Sequence, residues 1–185
     1  MLDNEGNLTG FGRDIAEAVI GAGGGTLEHI HSAIWVEVLD FLASGRADFI
    51  HGTGFTEERT AFLEYSEPIL SMDERRFVAA GRNDIGGFGD LKGRTVACVR
   101  QHMTHIYLQC FPEINCMVVE RPADGLLAVM RDDADAFIYP KEIAMFLSDQ
   151  LKVREHIRIV GEPLRTLNWH MTAKKGNTEM IALLN

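Results

Sequence analysis

Residues 35–54 read Trp35-Val36-Glu37-Val38-Leu39-Asp40-Phe41-Leu42-Ala43-Ser44-Gly45-Arg46-Ala47-Asp48-Phe49-Ile50-His51-Gly52-Thr53-Gly54. Trp35, Val38, Leu39 and Leu42 recur three and four residues apart, the spacing of one apolar helix face. Ser44-Gly45 closes that helix, because glycine readily takes the backbone conformation that ends one. Ala47 to Ile50 is then a short apolar run, read as a buried strand that leads into a polar, glycine-rich loop, His51-Gly52-Thr53-Gly54. A helix followed within a few residues by a buried strand is the repeating step of an α/β fold.

The same alternation extends in both directions. Upstream, Arg13 to Ile20 carries Ile15, Ala16, Val19 and Ile20 at helical spacing, stopped by Gly21-Ala22-Gly23-Gly24-Gly25, and Thr26 to Ile30 is expected to be a strand. Downstream, a second series begins after Gly86-Gly87. Its expected strands are Arg94 to Val99, Asn115 to Glu120, Asp135 to Tyr139 and Arg158 to Val160. Its expected helices are Met103 to Phe111, Asp124 to Arg131 and Lys141 to Leu151. Arg76 to Ala80 is extended and without helical period, as is Leu167 to Lys174 after a break at Gly161-Glu162-Pro163. Two extended crossings between two α/β series predict a hinged protein of two lobes rather than one continuous sheet.

Composition narrows the function. A chain of 185 residues with a formal net charge of −9 lacks the basic surface that nucleic acid or an anionic membrane would need. No run approaches the roughly 20 apolar residues that cross a bilayer, and Met1 leads directly into the polar Asp3-Asn4-Glu5-Gly6 rather than a secretory signal. Cys98, Cys110 and Cys116 have no metal-ligand spacing, and an odd count leaves at least one free thiol. One disulfide and three buried reduced cysteines are both compatible with the sequence. His29 with His31, and His102 with His105, lack a third ligand at recognisable spacing, so no metal is expected. Gly23 to Gly25 follows a helix instead of preceding one, the wrong order for a dinucleotide loop, and Gly52-Thr53-Gly54 lacks a nucleophile elbow. No cofactor and no catalytic group are expected.

Several stretches, read in order, resemble the bacterial family 3 extracellular solute-binding proteins. They are Asp3-x-x-Gly6-x-x-Thr9-Gly10-Phe11-x-x-Asp14, Trp35-x-x-Val38-Leu39-x-x-Leu42-x-Ser44-Gly45-x-Ala47-Asp48, Thr56-Glu57-Glu58-Arg59 and Tyr65-Ser66-Glu67-Pro68. Further along come Asp90-Leu91-Lys92-Gly93-x-x-Val96, Asp135-Ala136-Phe137-Ile138 and Ala173-Lys174-Lys175-Gly176-Asn177-x-Glu179. The resemblance implies a two-lobed, type II periplasmic binding protein-like α/β fold with extended hinge crossings. Lobe 1 would hold residues 1–77 and 167–185, with both ends truncated, and lobe 2 residues 78–166. A small-molecule ligand would lie between the lobes and shift a hinge equilibrium by its greater affinity for the closed form.

The site residues follow from the same resemblance. Family members use an arginine at the position of Arg59 to bind a carboxylate. Thr56 is expected to cap a helix starting at Glu57, which would set the Gly54 and Phe55 amides beside the guanidinium. The alternative for Arg59 is a surface ion pair with Glu58 or Glu64. Trp35 matches a position where a side chain lies against the ligand, the alternative being a core residue, and Thr53 offers a hydroxyl or is an ordinary turn residue. In the second lobe Gln101, His102 and Met103 occupy a turn where the family usually has Gly-Thr or Gly-Ser. His102 either faces the cleft or is a solvated loop histidine. Amino-acid-binding members place an aspartate after the strand 135–139 to hold the α-ammonium; here that residue is Pro140. Tyr139 is expected to line the cleft instead, and a small organic acid is the expected ligand, unless Asp14 or Glu37 has taken over the amine.

Three functions fit this fold. The first is a periplasmic sensor domain of an inner-membrane receptor, a histidine kinase of a two-component system or a diguanylate cyclase. It would reach the membrane only through segments outside this chain and form a homodimer in the full receptor. The second is a soluble binding protein of an ABC importer, and the third a cyclohexadienyl dehydratase-like enzyme. The compact loop Asp48 to Arg59, Arg75-Arg76-Phe77-Val78 and Val160-Gly161-Glu162-Pro163-Leu164 resemble the sensor branch.

Overall fold

The computed structural model describes residues 8–185; Asp3 and Gly6 of the first motif lie outside them. The described residues contain helices α1 (Phe11–Ala22), α2 (Trp35–Ala43), α3 (Met103–Leu108), α4 (Pro122–Met130), α5 (Lys141–Gln150) and α6 (Thr178–Leu184). The strands are β1 (Phe49–Gly54), β2 (Leu63–Ala79), β3 (Thr95–Val99), β4 (Asn115–Val119), β5 (Ala136–Pro140) and β6 (Ile157–Lys174). The chain divides into two compact units. One holds the described residues up to Ser71 together with Asn168–Asn185, and the other holds Met72–Leu167. The divisions fall inside β2 and inside β6.

In the first unit, α1 buries Ala16 and Ile20 against Met171 of β6 and Leu184 of α6. It ends where Gly23 and Gly25 donate back to Val19 and Ile20, with Gly24 at φ +78°. α2 buries Leu42 with Ile50 of β1 and Leu63 of β2, as its apolar spacing predicts. β1 pairs antiparallel with β6, Phe49 opposite Ala173 and Gly54 opposite Trp169, with an irregularity between Ile50 and Thr53.

In the second unit, β3 lies between β4 and β5 and is parallel to both. β2 adds to β5 antiparallel, from Glu74 opposite Pro140 to Phe77 opposite Phe137. Val78, Val96, Cys98, Ala136, Ile138 and Val160 share the core, consistent with strands that are buried on both faces. α4 begins with Pro122 in its first turn and packs its Gly125 against Phe137. A disulfide joins Cys98 of β3 to Cys116 of β4, and Cys110 is free and exposed.

Four expectations need correction. Thr26 to Ile30 is not a strand, and within it His29 contacts Glu17 at 3.2 Å. His51 to Gly54 belongs to β1 rather than to a loop, because the backbone of this segment is paired with β6. Gly161-Glu162-Pro163 does not interrupt β6. Gly161 absorbs the irregularity at φ +62°, where a Cβ would collide with the Gly86 carbonyl. Finally, the strands hydrogen-bond in the single order β1-β6-β2-β5-β3-β4 rather than as two separate sheets. The cause is length: β6 and β2, at 18 and 17 residues, pair with β1 and with β5 over different stretches.

Candidate functional site

Arg59 is 4% exposed and sits in a four-residue 3-10 turn, Glu58–Ala61. Its backbone N–H donates to the Thr56 hydroxyl at 3.3 Å, but Thr56 stands one residue before the N-cap position of the turn, which is Glu57. The expected helix at Glu57 is corrected to this single turn, because the chain enters β2 at Leu63. The guanidinium Nη1 donates to the Gly54 carbonyl at 3.2 Å and its carbon lies 5.5 Å from the centroid of Trp35. Burial pushes the Arg59 pKa down, opposed by the neighbouring Tyr65 and Glu58. Gly54 therefore offers Arg59 its carbonyl, and the Phe55 amide is committed to the Asn168 carbonyl at 3.3 Å. Glu64, the other alternative partner, is taken by Lys175 at 3.4 Å and by the Gly176 amide.

Trp35 opens α2 half-buried, and its indole Nε1 has no hydrogen-bond partner among the described residues. Thr53 is fully buried, and its hydroxyl is bonded to that of Thr172 at 3.0 Å. Around the same end of β1, Phe55 stands 5.0 Å from Tyr65, and Tyr65 meets His170 edge-on at 5.4 Å. His170 is fixed through Nδ1 to the Ser66 carbonyl at 2.7 Å. Of these three, the sequence pointed to Phe55 only for its amide and to Tyr65 only within its motif, and it did not point to His170 at all.

The second unit brings His102, Met103 and Tyr139 together with residues the sequence did not reveal. His102 is buried at the start of α3, 5% exposed, which excludes the solvated alternative. Its ring centroid lies 4.6 Å from that of Tyr139. Met103, the first residue of α3, is also buried. Gln101 carries φ +55°, a conformation that glycine takes without strain, which agrees with the glycine usual at this turn. Its amide is occupied by His105 Nδ1 at 3.1 Å, so it is not an open donor.

Beneath these residues is Glu74, with no exposed surface. Its carboxylate accepts from the Thr104 hydroxyl and from Arg165 Nε at 2.6 Å, and His102 Nδ1 lies 3.7 Å away. Burial pushes the Tyr139 hydroxyl pKa strongly up, and Glu74 adds to the shift. Glu74 was legible in principle. Met72, Glu74 and Arg76 are the buried alternate residues of β2, but a strand written Met72-Asp73-Glu74-Arg75-Arg76 looks like a solvated run. Of the two acids named as the alternative holders of an amine, Asp14 is exposed and Glu37 accepts from Ser32 at 2.6 Å. Among the described residues no three His, Cys, Asp or Glu side chains are grouped to hold a metal. No helix among them is long and apolar enough to cross a membrane.

A mixed α/β chain with this strand order has a periplasmic-binding-protein-like fold. The chain belongs to the bacterial extracellular solute-binding proteins, family 3, whose family model matches residues 1–185. It is similar to a curated protein of Neisseria gonorrhoeae described as “Probable histidine-binding protein”. Identity there is 29% over 92 residues, 49% of this chain and 34% of the relative, so the match spans about a third of that protein's length. Among solved structures, a histidine kinase sensor domain with similarity to periplasmic binding proteins matches with TM-score 0.92 and 22% identity. That match covers 100% of this chain and 80% of the other. The holo form of ArgBP from T. maritima matches with TM-score 0.90 and 21% identity, covering 100% of this chain and 81% of the other. These relatives are binding proteins and sensor domains.

Proposed function

We propose that the chain is the extracytoplasmic ligand-binding domain of a bacterial signal-transduction receptor, of the histidine kinase kind, and that it takes up a small solute through a carboxylate received by Arg59. The observation that carries this reading is the buried Arg59 guanidinium beside Trp35, whose indole N–H has no acceptor among the described residues. Burial disfavours a charged guanidinium, and an added carboxylate favours it, through two parallel charge-assisted bonds. An α-ammonium is not required by this ligand. Pro140 has no acceptor side chain, and the acid paired with it, Glu74, already has Arg165 as counter-ion. The Cys98–Cys116 disulfide fits an oxidising compartment outside the cytoplasm. Attachment to the inner membrane through segments outside this chain, and a homodimer in the full receptor, belong to the same proposal.

The sensor role draws on the compact stretch Asp48 to Arg59 and on the likeness to a histidine kinase sensor domain. A soluble importer component is the second reading, favoured by the likeness to holo ArgBP from T. maritima and to the curated “Probable histidine-binding protein”. Reading the full coding region in which this segment lies separates the two. A membrane span followed by a kinase module supports the sensor, and a secreted protein encoded beside a permease overturns it. Binding itself is tested by a thermal-shift screen of mono- and dicarboxylates; the absence of any stabilising acid would overturn the acid-binding reading.

A further inference from the structure

The second unit leaves one sheet edge unpaired. β4 ends the strand order and is hydrogen-bonded to β3 alone among the described residues. The Asn115 amide donates to the Arg94 carbonyl at 2.9 Å, and the Val119 carbonyl accepts from the Arg100 amide at 2.9 Å. Asn115, Met117 and Val119 therefore spend their backbone groups on β3, and strand alternation turns the N–H and C=O of Cys116 and Val118 outward. Natural edges are blunted by a charge, a proline or a bulge. Asn115-Cys116-Met117-Val118-Val119 has none of the three, and its register with β3 is unbroken from Thr95–Asn115 to Val99–Val119. The Cys98–Cys116 disulfide ties β4 to β3, so the edge is presented as a preformed strand.

The pattern is complementary to itself. When two such strands run antiparallel about a two-fold axis at Met117, Cys116 of one copy stands opposite Val118 of the other. Each of these pairs exchanges both of its free bonds. An axis at Cys116 would instead call on Ile114, whose amide is already given to the Phe111 carbonyl. An axis at Val118 would pair Cys116 with Glu120, beyond the end of β4. The Met117 axis also sets the exposed Glu113 against the exposed Arg121, a weak attraction that brings no like charges face to face. We propose that β4 is where two copies of this chain pair, edge to edge and antiparallel, through Cys116 and Val118. A pair of strands of 5 residues buries less than the roughly 800 Å² per partner of a stable interface. The dimer is therefore weak in free solution and is favoured where a shared membrane holds copies at about millimolar effective concentration. As the interface of a receptor homodimer it rests on the sensor reading; the pairing itself does not.

The test is sedimentation of this chain between about 10 µM and about 1 mM, with Cys110→Ser removing the exposed free thiol. A reversible monomer–dimer equilibrium is expected. Met117→Lys sets two ammonium groups opposite each other at the axis and weakens the dimer about fivefold or more, and Met117→Glu does the same with two carboxylates. An equimolar mixture of the two variants restores it, because each lysine then faces a glutamate, and that recovery shows that both variants fold. Asn115→Lys, whose charge faces Val119, has a smaller effect. The proposal is overturned if the chain stays monomeric up to about 1 mM, as it would if this edge receives a strand of another protein. It is also overturned if the mixture associates no better than either variant alone, or if both Met117 variants dimerise as wild type does. The coding region decides the sensor reading separately, so either can fail alone.

Discussion

Glu74 is the Cα partner of Pro140 across the antiparallel β2–β5 ladder, which sets a fully buried carboxylate beside the position where amino-acid-binding relatives are expected to carry an aspartate. The acid has not simply moved over by one strand. It is bonded to Arg165 and to Thr104, and an ammonium would have to compete with a guanidinium at 2.6 Å. The proposed preference for acids lacking an essential α-ammonium follows from that pairing.

Removing the Arg59 fork is expected to weaken binding of a carboxylate ligand by roughly 1.5–3 kcal/mol, the worth of a charge-assisted bond. Arg59→Lys is expected to fall between wild type and Arg59→Ala, since a point charge replaces two parallel donors. Calorimetry on the three proteins checks this, and an unchanged affinity for Arg59→Ala contradicts the assignment.

The disulfide between Cys98 and Cys116 closes a short loop, with a sequence separation of 18 residues. Chain-entropy arguments give about 3 kcal/mol for a loop of this size. Cys98→Ala/Cys116→Ala is therefore expected to lower the stability measured by urea unfolding by about that amount. Thiol titration of the denatured, unreduced wild type is expected to find Cys110 alone.

Acid sensitivity is expected from His51. Burial pushes its pKa below the ordinary 6.5. A depressed histidine pKa means that the unfolded chain takes up the proton first. The stability contribution is present above about 6.5 and is lost as pH falls toward the lower folded value. Burial also lowers His31 and His105, so His51→Gln should reduce, without removing, the fall in urea midpoint between about pH 7.5 and pH 5. An unaltered slope contradicts the attribution.

Gly125 lies in α4 against Phe137, and a Cβ there would come within 2.4 Å of the ring. Phe137 is fully buried and stacked on Tyr139 at 5.3 Å, so it has little room to yield. Gly125→Ala is expected to cost about 1–3 kcal/mol by overpacking, despite the better helix propensity of alanine. A stabilised variant in thermal unfolding would show that the ring can shift.

The regular elements were legible because their signals are local. The stripe Trp35-Val38-Leu39-Leu42 became α2, and the apolar runs at 95–99 and 136–139 fall in β3 and β5. What misled was context. Gly52 and Gly54 read as loop residues, yet β6 pairs with that segment and holds it in β1. Gly161-Glu162-Pro163 reads as a stop, yet β6 passes through it with one residue at positive φ. At the candidate site, Arg59 was found through its motif, whereas Glu74 and Arg165 have no motif. They are 91 residues apart, and only the fold brings their charges together.

The most direct measurement is a thermal-shift comparison of common α-amino acids with their matching deaminated acids on the wild-type protein. At about a hundredfold excess over Kd a bound ligand stabilises the folded state by about 2.7 kcal/mol. The account predicts such stabilisation from one or more of the deaminated acids, and its loss in Arg59→Ala. Strong stabilisation by α-amino acids, with none from the corresponding acids, would contradict it.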